Sequence, residues 1–220
     1  MTRLKSFIVS AVIVYTSLFS TSAQATFNID VYHVANNEFN RFNIFSDPRL
    51  SNLLSGIPDF SFENEVISYN DAVLNSGALR PLFGPPVVLP STTSNAFVSR
   101  TSGYFNVASA GTYSLLFRSD DSTRFNINNG QRTLTQINFG VTFHTVELAA
   151  GLNHFTLEHF DQGGPGLLEI AIAEGNTRNV NSFSALRAAA APVPEPVSAF
   201  LLLSSLGGMA YMRRRKTATA

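Results

Sequence analysis

The chain contains no cysteine and no tryptophan. Without cysteine there is no disulfide framework, no thiol nucleophile and no Cys-ligated zinc, so the folded form rests on its core or on bound ions. Without tryptophan the chain lacks the aromatic with the largest face, which weighs against sugar binding by stacking. Its nineteen Phe are expected to go mostly into the core. Lysine is nearly absent too: Lys5 and Lys216 are the only two, one near each end. Between the ends, residues 26–191 carry nine Arg (41, 49, 80, 100, 118, 124, 132, 178, 187) against fourteen Asp and Glu. A mildly acidic body without a basic face has no electrostatic footprint for DNA or RNA, which excludes nucleic acid as an expected partner.

The two ends read as addresses. Arg3 and Lys5 precede an apolar stretch at 7–19 and then Ala23-Gln24-Ala25, the n-region, h-region and small-residue cleavage site of a secretory signal peptide (residues 1–25). Signal peptidase would then leave Thr26 as the first mature residue. At the other end, Val193-Pro194-Glu195-Pro196 leads into an apolar run at 197–212 and then Arg213, Arg214, Arg215 and Lys216. The prolines hold the approach extended, and Pro196 suits a first helical turn. The run is shorter than the roughly 20 residues that span a bilayer without strain, and the basic cluster would hold its end on the cytoplasmic side. A plain tail anchor and a buried apolar helix share these features. The order of the three parts resembles the PEP-CTERM sorting signal (residues 192–220). That resemblance implies an exosortase substrate, held briefly in the inner membrane and then delivered to the cell surface or extracellular matrix of a Gram-negative bacterium.

The body, residues 26–180, has the length of one domain. From residue 96 onward short β-rich runs alternate with turns: 97–100, 103–107, 111–118, 124–127, 141–148, 154–160 and 167–172. Asn128-Asn129-Gly130 predicts a hairpin with positive φ. Alternation within 154–158 puts Phe155 and Leu157 on one face. No helical periodicity competes before Val180. The expectation is an all-β fold, an antiparallel β-sandwich. Residues 27–32 alternate as a strand, 36–45 read as loop, and the proline-rich 79–90 reads as a long connection. Residues 181–191, rich in alanine, read as a spacer.

Arg100-Thr-Ser-Gly103, Ala110-Gly-Thr-Tyr113 and Ser119-Asp-Asp121, followed by Leu148-Ala-Ala-Gly-Leu-Asn-His-Phe155 and a Gly-rich turn, resemble the heart of a PA14 domain. The resemblance implies a PA14-like β-sandwich of a kind often found in adhesins and other surface proteins, several of which bind glycans. In its adhesin members two adjacent aspartates joined by a cis peptide hold a calcium ion that contacts sugar hydroxyls. By position Asp120 and Asp121 match that pair and Asp161 a second ligand loop, with Gln162 and the carbonyls of Gly163 and Gly164 completing a shell. Calcium takes six to eight oxygens, and a sugar diol can replace two of its waters. A second reading of Ser-Asp-Asp-Ser stays open, since short polar residues between strands also make a solvent-facing turn. The sequence departs from the family where Ser122 stands for a glycine and Ile127-Asn-Asn-Gly130 for an Ile-Asp-Gly hairpin.

Catalysis has no frame. Glu63, Glu65, Asp71, Glu147, Glu158 and Asp161 offer no recognisable carboxylate pair, and no Gly-x-Ser-x-Gly elbow occurs. His33, His144, His154 and His159 lack metal-ligand spacing, and the offset of five puts the last two on opposite strand faces. The expectation is a non-enzymatic exported module that binds carbohydrate or exopolysaccharide through calcium. The alternative is a structural matrix or surface protein with no small ligand.

Overall fold

The computed structural model describes residues 25–71, 82–83, 86–89 and 96–191. Ala23 of the cleavage site, the sorting motif (Val193, Pro194, Glu195, Pro196), the apolar run at 197–212 and the basic cluster (Arg213, Arg214, Arg215, Lys216) lie outside the described residues. Among those described, no helix is long and apolar enough to cross a membrane.

Two six-stranded sheets face each other. The first contains β1 (Phe27–Val34), β2 (Phe60–Asn64), β5 (Ala96–Val107), β7 (Ser122–Ile127), β8 (Arg132–Gln136) and β10 (Gly151–Asp161) in the order β2-β1-β5-β10-β7-β8. The second contains β3 (Ser68–Asp71), β4 (Val87–Leu89), β6 (Gly111–Asp120), β9 (Gly140–Leu148) and β11 (Leu167–Glu174) in the order β4-β3-β11-β6-β9, with the short β12 (Ser184–Ala185) also on β11. The pairings are antiparallel except β3 with β4. The fold is the expected all-β sandwich.

The interior is a phenylalanine core. Phe27, Phe105, Phe117, Phe125 and Phe155 are buried between the sheets with Ile29, Leu115, Leu157 and Tyr69. Phe125 stacks on Phe155 at 4.9 Å between ring centroids, and Phe27 meets the same ring edge-on at 5.1 Å. Each such ring removes a large apolar area from water, which lets the chain stand without disulfides. Asn128, Asn129 and Gly130 all have positive φ and close the β7–β8 hairpin as the sequence predicts.

Four segments go beyond or depart from the sequence reading. Residues 36–45 are turns and the start of a short 3-10 segment, in keeping with a loop, but beyond them Asp47 accepts from Arg49 N and Pro48 opens a helix of about two turns, α1 (Pro48–Leu54). Seven residues are too few to show a period, yet Leu50 and Leu54 bury with Phe39, Ile44, Tyr32 and Phe160 against the outer face of the first sheet. Strand β8 reads as polar because it is an edge strand, and β4 lies inside the proline-rich stretch as the parallel edge of the other sheet. The segment expected to act as a spacer is instead attached to the body. Phe183 packs on Leu116 and Ala171, Leu186 is buried in the main core, and backbone bridges join Val66 to Arg187 and Tyr104 to Ala189. Two apolar side chains among the alanines suffice to anchor it.

Candidate functional site

Strands β6 and β7 belong to opposite sheets, and Asp121 is the single residue between them. The peptide joining Asp120 to Asp121 is cis. Strand β10 ends alongside this crossing: Asp121 N donates to the Phe160 carbonyl at 3.1 Å, and Gln162 N donates to Asp121 Oδ2 at 2.9 Å. A third segment, the turn after β1, closes the same end. Arg41 Nη1 donates to Asp121 Oδ1 at 2.9 Å, Ser122 Oγ donates to the Arg41 carbonyl at 2.8 Å, and Arg41 N and Gln162 Oε1 meet at 3.3 Å. Segments 80 positions before and 41 positions after Asp121 thus converge on its carboxylate.

The sequence-predicted residues separate into two environments. Asp121 and Asp161 are buried, at 3% and 1% exposure, while Asp120 is half-buried. Asp161 Oδ1 accepts from Gly163 N at 3.1 Å, which starts a loop in which Gly163 and Gly164 both take positive φ. Gly166 closes that loop against Asp161: a Cβ there would lie 2.9 Å from Asp161 Oδ2 and 2.8 Å from the Phe97 ring. Gln162, expected in the shell, bridges Arg41 and Asn37. Sequence reasoning missed Arg41, whose distance along the chain gives no signal.

Behind the crossing runs a buried polar line that sequence reasoning also missed. His159 Nε2 donates to the Asp120 carbonyl at 2.9 Å, and its Nδ1 faces Tyr69 Oη at 3.0 Å. Tyr69 Oη is in turn bonded to Ser99 Oγ. A carbonyl only accepts, so the neutral ring carries its proton on Nε2 and Nδ1 takes the Tyr69 proton. Burial holds the His159 pKa down, at about 4, and pushes the Tyr69 hydroxyl well above its ordinary value. The line is therefore uncharged at neutral pH and fixes the backbone of Asp120 from inside. His154, on the opposite strand face, stacks edge-on against Tyr104 instead.

Solved structures share this two-sheet fold. The PA14 sugar-binding domain from an RTX adhesin aligns over 77% of this chain and all of its own, with a TM-score of 0.50 at 19% identity. The fold is PA14-like. The epithelial adhesin 6 A domain from Candida glabrata, solved in complex with Galβ1-3GlcNAc, aligns over 77% of this chain and 89% of its own, with a TM-score of 0.50 at 14% identity. No family model matches the sequence, and no curated protein matches it significantly.

The sequence resemblance implies a calcium ion at this crossing. Asp120, Asp121, Asp161 and Gln162 offer only oxygen, the ligand chemistry of a hard cation. Among the described residues, however, no three His, Asp or Glu side chains are already gathered as a metal-binding group, and the Arg41 guanidinium stands on the Asp121 oxygen. Arg41 has 41% of its side chain exposed and so has solvent to move into. The residues suit calcium in kind, and Arg41 is the group that would yield to it.

Proposed function

We propose that this protein is an exported, non-enzymatic surface or matrix module that binds carbohydrate at the end of the sandwich marked by Asp120, Asp121 and Asp161. The observation that carries the reading is the burial of two carboxylates at one end of the sandwich, Asp121 between β6 and β7 and Asp161 at the end of β10. Buried carboxylates are costly unless a cation or donors meet them, and such pairs concentrate at working sites. The likeness of the fold to a sugar-binding PA14 domain of an adhesin supports carbohydrate as the ligand class.

Asp120, Asp121 and Asp161 would hold calcium, with Gln162 and the carbonyls of Gly163 and Gly164 beside them. Bound there, calcium would supply coordination positions for a sugar diol. The chain's own part is to orient the donors: His159 fixes the Asp120 backbone, Gly166 presses the 161–166 loop onto Asp161, and Gln162 N orients Asp121. Delivery belongs to the same proposal. Signal peptidase would act after Ala25, and an exosortase would recognise Val193, Pro194, Glu195 and Pro196 while residues 197–212 and Arg213 to Lys216 hold the chain in the membrane.

The test is calcium titration by calorimetry on the full chain, with melting followed in calcium and in chelator and retention followed on immobilised polysaccharide. Saturable binding, a higher melting temperature and calcium-dependent retention are expected, all lost in Asp121→Asn. A second reading, a structural surface module with no small ligand, is favoured by the Arg41–Asp121 pair, which already satisfies that carboxylate. Unchanged melting and no retention would decide for it.

A further inference from the structure

We infer that Phe139, at the tip of the loop between β8 and β9, is a platform on which a pyranose ring of the bound polysaccharide stacks, forming a subsite beside the Asp120–Asp121 crossing. The inference rests on the carbohydrate-binding reading of that crossing and adds the residue that grips a neighbouring ring.

Register puts the loop there. Gly140 of β9 lies opposite Ser119 of β6, and Gln136 of β8 lies opposite Thr123 of β7. Residues 137–139 therefore pass from one sheet to the other alongside residues 120–122, which make the same passage one strand further in. Phe139 is 55% exposed, and Ile137 beside it is 47% exposed. The loop that shows them is fixed from within. The buried Gln136 side chain donates through Nε2 to the carbonyls of Asn138 and Gly140, at 3.2 and 2.9 Å, and Asn138 takes a left-handed φ of 76°. A large apolar ring held out in water by a locked loop is the arrangement of a contact residue.

The ring's face is open. Three phenylalanines of the 39–45 segment, Phe39, Phe42 and Phe45, have their faces under the guanidinium groups of Arg49, Arg41 and Arg124. Among the described residues Phe139 has no such cap. The exposed apolar side chains here are one ring and two aliphatic groups, Ile137 and Val141, far below the roughly 1,600 Å² of a stable protein interface, so a protein partner is a poor occupant. A sugar ring matches it in size. The C–H face of a pyranose covers one aromatic ring while its edge hydroxyls remain free for polar groups. An oligosaccharide with one ring on Phe139 directs its next ring over residues 120–122.

The absence of tryptophan makes the test direct, because Phe139→Trp introduces the only indole in the chain. The full chain is first passed over agarose, dextran, mannan and alginate matrices, and the glycan that retains it is used in soluble form. Phe139→Trp should keep binding and shift its emission to the blue on addition of that glycan. Leu152→Trp, at an exposed position on the opposite end, should not shift. Phe139→Ala should weaken retention about tenfold with calcium affinity unchanged. If wild type is retained, Phe139→Ala is retained equally and Phe139→Trp emission stays still, the platform is overturned while the carbohydrate reading stands. If wild type is retained on none of the matrices, both fall.

Discussion

The two ends of the sandwich are closed by different chemistry. At the end away from the aspartates, turns close on themselves. Asn153 Nδ2 donates to the carbonyls of Ala149 and Gly151, Tyr113 Oη donates to that of Ser109, and Asn128, Asn129 and Gly130 turn with positive φ. At the aspartate end, Arg41 reaches Asp121, Gln162 reaches Asn37, and His159 reaches across the sheets to Asp120. The first end is built largely from such turns, with Asn128 linking two of them through Asn153 and His154 N. The second joins segments far apart in the chain and buries two carboxyl groups, those of Asp121 and Asp161.

Four expected outcomes would break or sharpen that contrast. The largest effect is expected from Gly166→Val, because even a Cβ would meet the Phe97 ring and Asp161 within 3 Å. Overpacking of this kind costs about 2–3 kcal/mol, and both melting temperature and glycan retention should drop. At the far end Gly175→Ala, where no atom lies within 4 Å of the added Cβ, should cost only the left-handed backbone penalty of about 1 kcal/mol and leave retention intact.

Next comes acid. His159 has its pKa depressed to about 4 by burial, whereas an unfolded histidine takes its proton near its ordinary value. Between those values the unfolded chain binds more protons than the folded one, so stability should fall as pH drops from about 6.5 to about 4 and level off below. Urea melts of wild type and His159→Gln across that range should show the fall shrinking in the variant. Burial also lowers the His144 pKa, so His144→Gln is the comparison for a partly exposed ring.

Third, Asp121→Asn removes the charged acceptor of the Arg41 pair and of Gln162 N. Arg41 is half exposed, which screens the loss, so about 1–2 kcal/mol of stability is expected with a complete loss of calcium-dependent retention. The smallest effect belongs to Asn153→Ala, which opens one turn at the far end for about 1 kcal/mol. It should leave calcium binding and retention at wild-type levels in the same calorimetry and column assays. Equal losses of ligand at both ends would erase the distinction.

The same contrast explains what could be read from the sequence. The hairpin at 128–130 and the strands from residue 96 were legible because turn residues and alternation are local signals. Helix α1 was not, although Asp47 and Pro48 are the standard opening of one, because seven residues span only about two turns, too short for the apolar repeat to stand out. Among the site residues, Asp120, Asp121 and Asp161 stood out through their resemblance to a family pattern. Arg41, Tyr69 and His159 did not, since their roles depend on pairings between strands far apart in the chain. Phe139 was hidden for a different reason. In a chain with so many phenylalanines, composition assigns each one to the core, and only burial separates the exposed ones.

The bridge between Tyr104 and Ala189 has a consequence for how such a module would stand on a surface. Strand β5 runs from Ala96, beside the aspartate end, to Val107 at the other. Ala189 meets it near the Val107 side, and β1 begins on that side too, with Asn28 opposite Ser102. Asn28 and Ala189, near the two ends of the described body, therefore lie on the half remote from Asp121. A tether continuing beyond residue 191 would hold the sandwich by its foot, with the loops of Arg41, Phe139 and Gln162 raised toward the surroundings as its head.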